Sequence, residues 1–169
     1  IAASLTLNNT FNPDVFAFAN NAYSLNNSTQ INYTNKANLI IVGAVDDKVS
    51  VEGEINGLQS LTIQNASVLS SAAGLIRANN ITLSNIGNVG DAANRLNINA
   101  DTISVSAANG DIYLKEANGL VVDGFSNNKL FDVLLAGDLT SNKLLSSFGD
   151  VVINSSGNIN LSQDNILSG

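Results

Sequence analysis

Glu52 and Glu54 stand two residues apart just after a strand-like run, and Asp46 and Asp47 are adjacent a few residues earlier. Alternate residues of an extended chain share a face. A carboxylate pair on one face could act as general acid and base on a sugar, and Glu52 could join Asp46 and Asp47 in an irregular calcium site. The competing reading is that these are solvated turn residues that supply solubility, with Asp46 and Asp47 in a turn. Lys115 and Glu116 read the same way, as a surface pair worth little energetically. The chain has no His and no Cys. That excludes Ser-His and Cys-His nucleophiles, His-ligated zinc and thiolate chemistry. The glycines sit singly, not in a phosphate loop that opens a helix. No catalytic, cofactor-binding or metal-ligating residue is assigned, no cofactor is expected, and the chain is read as non-enzymatic.

The charge balance narrows the partners. Seven Lys and Arg stand against 14 Asp and Glu, a net charge of −7. Nucleic-acid binders carry a basic patch, so no nucleic-acid partner is expected. No apolar run is long enough to span a membrane as a helix. Charged residues make up 12% of the chain and aromatics 5%, while 44% is apolar. Such a core is aliphatic and thin, and solubility rests on uncharged polar groups. The 28 Asn and 19 Ser supply them. Asn is depleted from ordinary strands, but it accepts tight corners and left-handed backbone and stacks into ladders where equivalent positions repeat along an axis.

The elements that would position these groups are short strands. Five apolar-polar-apolar units fall within residues 80–124: Ile81-Thr-Leu83, Leu96-Asn-Ile98, Ile103-Ser-Val105, Ile112-Tyr-Leu114 and Leu120-Val-Val122. Each predicts a strand of about three residues with one apolar face. Strands this short are not stable as isolated hairpins but are stable when stacked coil on coil. Val49-Ser-Val51 and Leu61-Thr-Ile63 extend the pattern upstream, and Leu39-Ile-Ile-Val42 reads as buried on both faces or bent into a corner. Lys129 to Leu135 has some helix propensity but is read as strand, because Gly137-Asp-Leu139 resumes the pattern at once. A Gly-[Asp/Asn]-aliphatic-x-aliphatic unit recurs at Gly110, Gly149 and Gly157. Its glycine is expected to permit a corner conformation that other residues resist.

The expected fold is all-β: a parallel β-helix, or β-solenoid, of roughly 20–25 residues per coil, with about seven coils in a rod of roughly 35 Å. Residues 37–169 form its coils as a single domain. Residues 1–36, with Pro13 and five of the nine aromatics, read as an irregular cap or flanking strands. Ile1 without a preceding Met, and the ending at Gly169, suggest a fragment of a longer chain. A flat water-ordering face would need a long Thr-x-Thr ladder. Thr6, Thr62, Thr82 and Thr102 occupy strand centres, but Ser, Asn, Tyr and Val occupy others.

Within this stretch, Asn80-Ile-Thr-Leu83, Ile86-Gly87, Ala92-Ala-Asn-Arg-Leu-Asn-Ile98 and Asn109-Gly-Asp-Ile-Tyr-Leu-Lys-Glu-Ala-Asn-Gly-Leu120 carry a resemblance. It is to filamentous haemagglutinin-like proteins, the large exoproteins of two-partner secretion in Gram-negative bacteria. Detailed likeness covers about a third of the chain. Arg95 stands where a proline is expected ahead of Leu96. The resemblance implies a right-handed helix, export through an outer-membrane secretion partner, and residence outside the cell or on its surface. It also implies a structural or adhesive role, as a rigid filament shaft that meets a host-cell or matrix receptor or a carbohydrate. These motifs specify backbone and transfer no catalytic residue. The alternative is a carbohydrate-active or carbohydrate-binding β-helix that uses surface carboxylates.

Overall fold

The computed structural model describes residues 3–4, 16–17, 22–25, 31–127, 129–143, 145–147, 149–161 and 166–168. Its strands are β1 (Ala3–Ser4), β2 (Phe16–Ala17), β3 (Ala22–Leu25), β4 (Ile31–Val51), β5 (Glu54–Ser70), β6 (Leu75–Ser84), β7 (Leu96–Ala108) and β8 (Ile112–Glu116). There follow β9 (Leu120–Asn127), β10 (Phe131–Leu135), β11 (Leu139–Ser141), β12 (Leu145–Ser147), β13 (Val151–Ser155), β14 (Ile159–Leu161) and β15 (Ile166–Ser168). No helix occurs among the described residues. Lys129 to Leu135 is strand over β10, as its surroundings predict.

Among the described residues every strand pairing is parallel, and each strand pairs with the one a coil away. The result is a β-solenoid of about six turns with coils of about 20 residues, one turn fewer than the strand spacing predicts. Stacked at ~4.8 Å per coil, the turns make a rod of roughly 30 Å. The described pieces of the first 25 residues also pair in parallel, β1 with β3, and β2 and β3 with β4. Most of the expected 1–36 cap lies outside the described residues.

Alternation sets what faces inward, and the coil register stacks like on like. One inward column runs Val49, Val68, Val89, Ile112, Phe131 and Val151. A second runs Leu39, Leu61, Ile81, Ile103 and Val122. A third runs Ile41, Ile63, Leu83 and Val105. Both aliphatic residues of all five organising units are buried. Burial of this kind contributes about 25 cal/mol per Å² of apolar surface. Because each column residue contacts its equivalents above and below, stability is shared between neighbouring coils.

Three expectations change. The strands are longer than three residues, because in β4, β5 and β7 the backbone keeps its pairing around corners. Leu39-Ile-Ile-Val42 alternates after all: Leu39 and Ile41 are buried, whereas Ile40 and Val42 are half-buried and pair with the outward Thr62 and Gln64. The glycine of the recurring unit is also needed for a different reason. Gly110 does not have a positive φ, but a Cβ there would collide with the Asn88 backbone of the preceding coil. Close approach of coils selects it. Positive φ falls instead to Asn65 (φ 55°) and Asn85 (φ 49°), and to Gly57, Gly90 and Gly124 outside that unit.

Candidate functional site

The carboxylates singled out from the sequence do not converge. Glu52 and Glu54 flank the buried Gly53, and Glu52 is exposed. Glu54 is bound by Arg77 Nε at 2.7 Å from the coil below. A cleft of about 330 Å³ beside Glu52 is lined by Ser50, Val51, Leu69, Ser70 and Ser71, with no second carboxylate and no basic group. Asp46 and Asp47 lie within β4, not in a turn. Asp47 shares the inward parity of Val49 and Val51 and is 5% exposed. No cluster of metal-binding side chains is present among the described residues.

Glu116 also departs from the surface reading. It is 1% exposed and stacks between Ile98 and Leu135 in an inward column that otherwise holds Ile55 and Ile76. Its Oε2 accepts the Ala100 N–H at 3.0 Å, and its Oε1 accepts the Asn118 N–H at 3.0 Å. Ala78 pairs with Ala100 from one side, but on the other side residues 117–119 turn away from the ladder. The carboxylate therefore satisfies an N–H that has lost its strand partner, which offsets the cost of burying it. Burial pushes its carboxyl above the usual range; backbone N–H groups of Ala100, Asn118 and Ala117 pull it down, and Asp101 adds to the upward push. The signal was present in Ile112-Tyr-Leu114-Lys-Glu116, where residue 116 has the inward parity.

Arg95, at the expected proline position, clamps three coils. Its guanidinium makes a two-pronged bond to Asp132, Nη1 to Oδ1 at 2.9 Å and Nη2 to Oδ2 at 2.7 Å. It crosses the intervening Tyr113, whose ring centroid lies 5.5 Å from its Cζ. Nη1 also reaches the Asp132 and Leu114 carbonyls at 3.2 and 3.4 Å. The bond to Asp132 raises the Arg95 pKa further. A planar, five-donor guanidinium suits this geometry, and a proline could not reach across a coil.

The corners carry the Asn chemistry. Asn85 Nδ2 donates to Asn65 Oδ1 at 2.8 Å, one coil away and from the same left-handed backbone. Asn88 Oδ1 accepts the Asp111 N–H, and Asp111 Oδ1 accepts the Leu130 N–H, at 2.9 and 3.2 Å. Beside the Asn65 and Asn85 corner lies a cleft of about 220 Å³.

Together, an aliphatic core in columns, polar corner ladders and strictly parallel pairing define a β-solenoid, a repeat architecture that supports itself coil on coil. Comparison with protein-family models, curated proteins and solved structures finds no match.

Proposed function

We propose that this chain is a structural and adhesive segment of a secreted bacterial surface filament, forming part of its rigid shaft. The observation that carries the reading is the distribution of polar chemistry. The titratable groups held by the fold serve it: Glu116 seals a corner, Arg95 ties three coils, and Glu54 is engaged by Arg77. Stiffness follows from parallel stacking, because bending the rod would strain every column at once. The resemblance to filamentous haemagglutinin-like exoproteins adds export through an outer-membrane partner and a receptor or carbohydrate on the far side. On this reading the chain performs no catalysis.

The test is surface labelling of the source cells with antibodies raised against this chain. Labelling of intact cells, lost after brief external protease treatment, is the expected result. Labelling that appears only after lysis would sink the reading.

A further inference from the structure

The most regular outward surface of the described coils carries no charge. It consists of the outward residues of 60–64 on β5, 80–84 on β6 and 102–106 on β7. In register these are Ser60, Asn80 and Thr102; Thr62, Thr82 and Ser104; and Gln64, Ser84 and Ser106. All nine are hydroxyls or amides, in a chain whose net charge is −7. Coils are ~4.8 Å apart and alternate residues ~6.6 Å, so the groups form a flat grid of donors and acceptors. Charge returns at the next coil, where Asp123 pairs with Lys143 at 3.0 Å.

The grid borders the corner cleft. Gln64 is followed by Asn65 and Ser84 by Asn85, and both asparagines line it together with Ser67 and Asn109. Ala66 and Ile86 lie buried behind these polar groups, as part of the core. The cleft lining contains no Asp, Glu, Lys or Arg. Asn85 holds Asn65 by its amide, so both side chains are fixed before any ligand arrives. A small concavity with fixed amides and hydroxyls, and no charge, matches one ligand chemistry: a compact ring with neutral hydroxyls around its edge.

We propose that this cleft, with the adjoining uncharged face, binds a neutral oligosaccharide, one sugar ring seated in the cleft and further rings lying across the coils. Anionic glycans gain nothing here, because no cation lines the site and the chain is acidic overall. The proposal rests on the filament reading only in naming a ligand for its adhesive part. It moves carbohydrate recognition away from Glu52 and Glu54, and it would leave the shaft role intact if it failed.

The test is calorimetric titration of the chain with cello-, chito-, xylo- and malto-hexasaccharides, with polygalacturonate and dextran sulfate as charged comparisons. At least one neutral hexasaccharide is expected to bind, and neither charged polymer. Asn85→Gly removes one amide while keeping a residue that accepts the left-handed backbone. Ser67→Ala removes a hydroxyl with little change in size. Each is expected to weaken binding about tenfold, with melting followed to confirm folding, while Asn142→Ala on a distant corner leaves binding unchanged. Absence of binding by every neutral hexasaccharide, tighter binding of a charged polymer, or full affinity in both cleft variants would each overturn the proposal. The surface-labelling experiment above is unaffected by any of these outcomes.

Discussion

Residues 31–108 and residues 112–161 turn the same corners by different means. In the first region the backbone carries its pairing round the bend, so β4, β5 and β7 run for 21, 17 and 13 residues. Irregularity is absorbed by register shifts near Ala37 and Leu58 and by left-handed Asn65 and Asn85. It is also absorbed by an outward excursion: Val89 pairs with Ile112 and Leu96 with Leu114, so residues 90–95 do the work of Tyr113 alone. In the second region no strand exceeds eight residues among the described residues. Pairing stops at compact turns over residues 117–119, 136–138 and 156–158. There side chains replace the missing ladder bonds: Glu116 accepts the Asn118 N–H, Asp138 the Asn158 N–H and Ser155 the Gly157 N–H. Glu116 and Arg95 both sit at the junction of the two styles, where pairing lapses and another group must take over.

The comparison breaks most sharply at the inward column that contains Glu116. Ile76→Glu places a carboxylate two coils earlier, where the ladder has already used the neighbouring N–H groups. It is expected to cost more than about 4 kcal/mol, because the charge is buried without partners. Urea denaturation would measure this. A variant as stable as the parent would show that Glu116 is not special.

Corner chemistry comes next. A Cβ on Gly137 would lie 2.6 Å from the Gly119 nitrogen and 2.8 Å from the Asn118 carbonyl carbon. Gly137→Ala should therefore cost about 1–3 kcal/mol, from overpacking against backbone. In the first region Asn85→Ala should cost about 1–2 kcal/mol for its left-handed backbone, and Asn85→Gly distinctly less. Equal losses for Ala and Gly at position 85 would assign the effect to the lost amide instead.

Arg95→Ala removes a mostly shielded two-pronged pair and is expected to cost about 1–2 kcal/mol. Arg95→Lys should recover only part of this. Full recovery by lysine in a melting experiment would mean that charge, not the planar fork, ties the coils.

The smallest effect is a pH slope. Because burial raises the Glu116 pKa in the folded chain above its ordinary 4.5, folding takes up a proton in that interval. Its contribution is fully present below the ordinary value and is lost as pH rises through the raised value. Glu116→Gln removes that dependence. Relative to the variant, the parent should lose melting temperature as pH rises above 4.5; parallel curves would rule out burial as the dominant influence.

The alternation of Ile81-Thr-Leu83 or Ile112-Tyr-Leu114 made the inward residues legible, because side-chain direction in a strand repeats every two residues whatever the neighbours do. The same parity, carried on from Val49 and Val51 back to Asp47, or from Leu114 to Glu116, would have placed both acids inside. Residue type pulls the other way, because acids are rarely buried unless paired. The candidate cleft was less legible. Asn65, Asn85 and Asn109 could be seen as corner residues, but not as neighbours.

By itself the sequence determined the class of structure: aliphatic pairs at period two, Asn and Gly at intervals, and too few aromatics for a bulky core admit stacked short strands and little else. Only the tertiary structure decided which coil positions meet. Coil length varies with each corner: Leu61 pairs with Ile81, Ile81 with Ile103, and Leu96 with Leu114. Local alternation carries no record of that offset. The bond from Arg95 to Asp132, the burial of Glu116 beside Ala100 and the uncharged grid beside the cleft all depend on it, because register between coils is set by how whole corners pack against one another.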